Sequence, residues 1–425
     1  MYLRSNNLVQ AINLFMKNNP FVSKTFTTIW STFFNASKPG LNFKFIKDVA
    51  FVKSKWLPLY YNVGKNITNG MSYVLDLEEK DFKGKVFLLH DVPSYFNLEA
   101  PDSSGLKGFK VKQYKGFLAK LDAFESYDAF AKNQFKSNTR YKFRRNQERL
   151  EACFNISYSI YNESIEKDKY ITIMKGFKAL LTKRFNELQK DNDILDTWDY
   201  YYELIFKMLQ EKRALLITIC NNDKPIGVSL SFLSDTTMFY AITSFDTDYY
   251  RFNLGHTTII KLFNWCFDNG YTIYDFSKGE YEYKNRWTNM DYVYENHILY
   301  DSKSVVASAV AKMVKSKYAL KQYLRDKNMN EKYVKFKFLL KGKKSKVVPR
   351  RKYTIEKCKE KEMLDAKDLI DLNHKNYSFL KPIIFDELYR NPEAISVLNI
   401  YAIKNLDKEV YYVVGEKNNY KIILD

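Results

Sequence analysis

Between Arg251 and Trp287 the chain collects side chains that act on anions and on protons. Arg251 stands just ahead of Gly255, and His256 and Thr257 follow it. An arginine offers a fork of donors that fits a phosphate at two points. A glycine at the mouth of a helix lets an anion approach main-chain N–H groups, where the helix also carries partial positive charge. Arg251, Phe252, Asn253, Leu254, Gly255, His256 and Thr257 therefore form a candidate phosphate cradle. Asp275 follows, then Glu280, Glu282, Tyr283 and Lys284, with Trp287 closing the stretch. Carboxylate, phenol and amine together can take a proton from one group and return it to another. The same spacing also describes an ordinary strand–helix–strand unit with a glycine turn, because Arg-x-x-x-Gly is a weak pattern alone.

These residues need a frame, and the flanking sequence supplies one. Residues 238–245 (MFYAITSF) are aromatic and β-branched, as in a half-buried strand. A polar loop spans 246–256. Residues 257–269 set Ile259, Leu262, Phe263 and Cys266 at helical spacing, with Gly270 placed as a C-cap. Residues 272–276 read as a second strand carrying Asp275, and 277–287 as a loop. Upstream, 214–219 and the alternating 226–233 flank a turn at 221–225 and predict an antiparallel meander. Helices are expected over 170–190 and 198–212, and a further strand over 292–300. The pattern predicts an α+β fold, a mixed and mostly antiparallel sheet flanked by helices.

The N-terminal part is also mixed. Residues 19–34 read as an amphipathic helix, 70–79 and 83–92 as a hairpin, and 109–114 as a strand. His90 ends an apolar run and reads as a satisfied core or edge histidine. Ser126 is placed to cap a helix over 127–134. A second helix over 138–151 sets Arg140 with Arg144 and Arg145 with Arg149 in two cationic rows. Such rows bind phosphate or an acidic sugar, or they form a surface helix partly neutralised by Glu148 and Glu151. Residues 302–327 form a basic amphipathic helix and 341–352 a linker. The tail, 353–425, alternates helix (364–372) and strand (397–403) signals and ends in a hairpin-like run over 410–425.

A chain of 425 residues exceeds one hydrophobic core, and 46% hydrophobic residues suffice for two or three. The net charge of +19 is uneven: residues 311–352 hold 16 Lys and Arg against Asp326 and Glu331. A basic stripe of this kind binds nucleic acid, an anionic membrane surface or an acidic carrier protein, or is a solvated helix face with a charged linker. Cys153, Cys220, Cys266 and Cys358 form no CxxC, and the four histidines have no metal-ligand spacing, so no metal is expected. No run approaches the ~18 apolar residues of a spanning helix, and no signal peptide is evident. The expected location is cytoplasmic, with a peripheral place at the inner face of a membrane as the alternative.

Several residues also carry a family resemblance. They are Asn19-Pro20-Phe21 with Trp30, then Arg144, Arg145, Arg149 and Leu150, then Phe177 with Lys183-Arg184-Phe185. The most specific are Ile226-Gly227, Tyr240, Asp246, Arg251, Gly255, Trp265, Gly270, Tyr274-Asp275-Phe276, Gly279, Tyr283-Lys284 and Trp287. In these the run from about Phe21 to about Tyr300 resembles the acetyltransferase-like family of cellulose and exopolysaccharide biosynthesis proteins of the CelD type, within the GNAT superfamily. It is also similar to the FemABX aminoacyl transferases, which carry two GNAT-like halves. The resemblance implies a GNAT-like half over 1–150, a second over 151–300 with the donor loop, a basic helix and linker over 301–345, and a small α+β appendage over 346–425.

The resemblance further implies an acyltransferase that moves an acyl group from a coenzyme A thioester, such as acetyl-coenzyme A, to an amine or hydroxyl of a cell-envelope saccharide or lipid-linked precursor. The loop 251–257 would cradle the pyrophosphate. It departs from the family pattern in having three residues between Arg251 and Gly255 and in placing His256-Thr257 where a small residue is usual. The donor alternatives are an acyl carrier protein thioester, docked through 311–352, and an aminoacyl-tRNA. A non-catalytic scaffold in envelope assembly is the third reading. Within acyl transfer, Asp275 is the candidate base or acceptor-orienting group, Tyr283 the acid and Lys284 the oxyanion or anion donor, with Glu280 and Glu282 as alternative bases. Arg184, Arg144 and Trp287 are assigned to the acceptor, and Arg184 can equally pair with one of these acids.

Overall fold

The computed structural model describes residues 18–102, 105–327, 329, 352–358, 368–404 and 409–424. The first strands are β1 (Leu41–Phe43), β2 (Ile46–Lys53), β3 (Leu59–Asn62), β4 (Val74–Leu75), β5 (Val86–Pro93) and β6 (Leu106–Lys120). The next are β7 (Ile156–Tyr161), β8 (Ala214–Asn221), β9 (Lys224–Leu233), β10 (Thr237–Phe245), β11 (Ile273–Lys278) and β12 (Met290–Asp301). All twelve join one sheet in the order β1-β2-β3-β5-β12-β6-β11-β10-β9-β8-β7, with β4 pairing β2. Its ladders are antiparallel except β3–β5 and β10–β11. The parallel β10–β11 pair needs a crossover, which the helix between them provides. β12 lies between β5 and β6, so a late strand is threaded among early ones.

Helices cover both faces: α1 (Lys24–Phe34), α2 (Tyr127–Gln134), α3 (Ser137–Cys153), α4 (Lys167–Leu188), α5 (Asp193–Asp196), α6 (Trp198–Gln210), α7 (Leu254–Asp268), α8 (Glu282–Trp287) and α9 (Val305–Asp326). Successive strand residues point to opposite faces, and the cores divide accordingly. Phe239 faces Phe21, Phe177 and Leu204 from the N-terminal turn, α4 and α6. Its neighbour Tyr240 faces Phe130, Phe143 and Phe263 from α2, α3 and α7. Caps fix the helix starts: Ser23 Oγ accepts from Phe26 N, and Ser126 Oγ from Ala129 N.

A second sheet, in the order β13 (Tyr353–Lys357), β16 (Asn419–Leu424), β15 (Glu409–Val414) and β14 (Asn399–Lys404), is joined by α10 (Lys381–Arg390). This C-terminal unit is seated against the first domain. Ile384, Phe385 and Leu388 of α10 share a core with Phe154, Tyr249, Phe252 and Leu254.

The α+β architecture with its mostly antiparallel, helix-flanked sheet is as the periodicity indicates. Four local expectations are corrected. Residues 70–79 and 83–92 form no hairpin: β4 is a two-residue strand on β2, while β5 pairs β3 and β12. The helix expected from Thr257 begins at Leu254, because Asn253 takes a left-handed conformation (φ 53°) that turns the chain into it. The loop 277–287 contains α8. Of 364–372, residues 369–372 are not helical, and Leu369 bridges Tyr401; 364–367 lie outside the described residues. The expected linker over 341–352 also lies outside them, apart from Lys352.

Candidate functional site

The β10–β11 ladder pairs Thr237 with Ile273, Met238 with Tyr274 and Phe239 with Asp275, and there it stops. β10 runs on to Phe245 and β11 to Lys278, so an opening separates their C-terminal ends. A side-chain hydrogen bond crosses it, from Ser277 Oγ to the Tyr240 carbonyl at 3.2 Å, and the Tyr240 and Phe276 rings meet with centroids 5.8 Å apart. Ser277 (φ 60°) and Gly279 (φ 100°) then turn the chain into α8. Lys284, buried on α8, staples this turn by donating from Nζ to the Ser277 carbonyl at 3.3 Å and the Lys278 carbonyl at 2.5 Å. Burial pulls the Lys284 amine down to about 8, against the attraction of Asp275.

Arg184 stands beside the opening. Its guanidinium lies 5.2 Å over the Phe245 ring, and Nη1 reaches the Thr243 carbonyl at 3.5 Å, both on β10 beyond the ladder's end. Its charge favours ionisation of the Tyr240 and Tyr283 phenols, although burial is the larger effect and holds both above the ordinary phenol value. Tyr283 is partly exposed and packs near Phe276 and Tyr281. The neighbouring Lys183 bridges Asp246 at 2.5 Å and Asp248 at 2.7 Å, which ties α4 to the loop after β10.

Asp275 is fully buried. Ser277 N donates to its Oδ1 at 2.7 Å and Tyr95 OH to its Oδ2 at 2.9 Å. Tyr292 Oη lies 2.7 Å from both carboxyl oxygens and 2.7 Å from Tyr294 Oη, which lies 2.6 Å from the Asn69 carbonyl. Each contact along this chain needs a proton between its oxygens. The two tyrosines supply fewer protons than there are contacts. The chain is complete only when Asp275 is itself a carboxylic acid. Burial, the dominant effect, pushes Asp275 up to about 6, with Tyr292, Ser277 and Tyr95 opposing. Asp275, the expected base or acceptor-orienting group, is thus sealed from water: burial favours its protonated form, and the donors around it favour the carboxylate.

The loop 251–257 distributes its side chains widely. Phe252, Leu254 and Thr257 are buried, so only their main chain could face a ligand. Arg251 Nε pairs with Asp386 of α10 at 3.2 Å. Asn253 is the left-handed residue before α7. A Cβ on Gly255 would lie 3.3 Å from the Phe245 ring, so this glycine accommodates the ring that also carries Arg184. His256 Nδ1 accepts from Trp287 Nε1 at 3.0 Å, and its ring lies 4.8 Å from that of Phe143. Burial drops His256 to about 4, so it is neutral and carries its proton on Nε2. Trp287 is fully buried between Phe135 and Phe143 and positions His256.

Glu280 is exposed, 3.6 Å from Lys115, on the wall of a groove of about 580 Å³ that Phe117, Asn285 and Asn289 also line. Arg144 is exposed on α3, whereas Arg140 donates to the Phe135 carbonyl and Arg149 stacks on Tyr389. The structure thus brings together Arg184, Tyr283, Lys284 and Asp275 around the end of β11. Arg251 and Arg144 lie apart from them. Tyr95, Tyr292 and Tyr294 were not singled out from sequence. Tyr292 and Tyr294 alternate along a legible strand, but nothing in the sequence aligns them with Asp275. Among the described residues no three His, Cys, Asp or Glu side chains group as a metal site. No helix there is long and apolar enough to cross a membrane.

Residues 137–285 match the family described as Acetyltransferase (GNAT) domain, without reference to an exopolysaccharide type. Among solved structures, the chain is similar to a conserved protein of unknown function from Bacteroides thetaiotaomicron, at 14% identity over 67% of this chain and 92% of that one, with a TM-score of 0.42. It is similar to FemX at 11% identity, over 71% and 95%, with a TM-score of 0.44. It is also similar to L-PGS from Bacillus licheniformis at 10% identity, over 71% and 98%, with a TM-score of 0.39. No curated protein matches the sequence. The matched span contains Arg184, Tyr240, Asp275, Ser277, Tyr283 and Lys284, so the opening and its rim lie within the stretch similar to that family.

Proposed function

We propose that this chain is an acyltransferase that takes an acyl group from a coenzyme A thioester and passes it to an amine or hydroxyl of a cell-envelope saccharide or lipid-linked precursor. The observation that carries this reading is the opening where the β10–β11 ladder stops, rimmed by Arg184 and Tyr283 within the GNAT-matched span. An extended donor arm bearing amide groups suits a strand edge, where main-chain hydrogen bonds hold it as an added strand. Arg184 supplies positive charge for the donor or for the developing oxyanion. Tyr283, kept protonated by burial, is assigned the proton given to the leaving thiolate.

The acceptor's proton passes to Glu280, the solvent-facing carboxylate on the polar groove. Lys284 and Asp275 act through position, the one fixing the turn after β11 and the other anchoring β11 to β12. Neutral His256 keeps its proton on Nε2 and serves as a donor at the mouth of α7.

The test is a thermal-shift titration with acetyl-coenzyme A and longer acyl-coenzyme A, run beside Arg184→Ala and Arg251→Ala. Saturation at about 100 times Kd adds roughly 2.7 kcal/mol of stability. A shift in wild type that Arg184→Ala abolishes supports a thioester in the opening. No shift with any thioester overturns it and turns attention to aminoacyl-tRNA or a scaffold role.

A further inference from the structure

Helix α9 has two apolar sides. The inner one, Ala307, Val310, Ala311 and Val314, is seated on Val111, Ile298 and Tyr300 of the sheet. The outer one is a stripe at seven-residue spacing, Val306, Met313 and Leu320, which are 62%, 51% and 59% exposed. A helix that needs only to shed water on its outer side gains nothing from such a stripe. Lys312, Lys317 and Lys321 stand around it, all exposed, and Asp326 is the helix's one acid. The loop between β2 and β3 adds a second feature on the same side of the sheet. Its Leu57 packs into the core that α9 closes, while Trp56, next to Lys55, is 91% exposed.

We infer that the outer side of α9 and the Trp56 loop form a surface that lies on an anionic lipid bilayer. The two features offer three kinds of group, each suited to one depth of a membrane interface. Aliphatic side chains enter the acyl boundary, an indole sits at headgroup level, and lysines meet lipid phosphate. The charge complementarity selects anionic lipid. The following segment of this chain is itself rich in lysine, so it is a poor electrostatic cover for the same face. The surface is independent of the acyl-transfer reading and uses none of the residues around the opening.

The experiment is flotation of the full chain with phosphatidylcholine vesicles, with and without phosphatidylglycerol, at low and high salt. Wild type is expected to float with the anionic vesicles at low salt, to release at high salt, and not to float with neutral vesicles. Lys312→Glu with Lys317→Glu should lower partitioning by about 30-fold or more. Met313→Asp with Leu320→Asp should lower it at least tenfold (order ~10) through loss of apolar insertion, with an unchanged melting curve because both sites face solvent. The blue shift of wild-type tryptophan fluorescence on vesicles should vanish in Trp56→Phe. Absence of flotation with anionic vesicles, equal flotation with neutral ones, or wild-type flotation of the Met313 and Leu320 variant overturns the assignment.

Discussion

Tyr292 holds its hydroxyl oxygen 2.7 Å from both carboxyl oxygens of Asp275, in a pocket that leaves the carboxyl no exposed surface. At about 6, the carboxyl is largely ionised at neutral pH and takes up its proton below it. The folded value of about 6 lies above the ~3.9 of an unfolded aspartate. The native state therefore binds the extra proton, and stability falls as pH rises from about 4 to about 6, by an amount on the order of 3 kcal/mol. Asp275→Asn should flatten that part of the curve relative to wild type. Urea titrations of both proteins across the window check it, and identical slopes would refute the protonated reading.

Removing the Tyr292 hydroxyl leaves Asp275 and Tyr294 without their common partner. Tyr292→Phe should cost about 1–3 kcal/mol, as expected for a buried polar group left unsatisfied. Tyr95→Phe, which removes a single contact to Oδ2, should cost less. Denaturant midpoints at constant slope measure both, and a Tyr292→Phe protein as stable as wild type would show that the chain of hydroxyls carries no stability.

Lys284 titrates in the opposite sense. Its folded value of about 8 lies below the ~10.4 of an unfolded lysine, so the unfolded state holds the proton more tightly between them. Stability contributed through Lys284 therefore rises with pH from about 8 to about 10. Lys284→Met should remove that rise and also delete the bonds to the Ser277 and Lys278 carbonyls. Comparing the two proteins' stability on either side of the window isolates this group from the many tyrosines that titrate above it.

Arg184 and Arg251 make different predictions. The exposed Arg251–Asp386 pair should contribute no more than about 1 kcal/mol, so Arg251→Ala should melt close to wild type. Arg184→Ala should lower thioester turnover by roughly 10²-fold or more, the scale for losing one preorganised donor to a developing charge. Thiol release under saturating acyl-coenzyme A reads this directly. Turnover that depends on Arg251 and not on Arg184 would move the donor away from the end of β10.

The β10–α7–β11 unit is legible because aromatic and β-branched residues mark both strands, and Ile259, Leu262 and Phe263 repeat at helical spacing. Asp275 is legible as a strand-end carboxylate. Its environment is not, since Tyr95 reaches it across 180 residues of sequence. Gly255 reads as a phosphate-side glycine, but its nearest neighbour is the Phe245 ring, a contact that no local pattern encodes. The neutrality of His256 fits its place at a helix N-terminus, although burial is the larger cause. β1 to β3 escape detection because they are short, and because Asp48 at φ 64° interrupts the alternation of β2.

β12 fills the space between β5 and β6, pairing with both. On the ribosome those two strands emerge long before β12 is made, and neither has its central neighbour until then. The middle of the sheet is therefore closed by contacts distant in sequence, which form slowly and leave strand edges exposed meanwhile. An N-terminal fragment ending before Met290 should accordingly aggregate, even though it contains every residue of the rim, Arg184 and Tyr283 included.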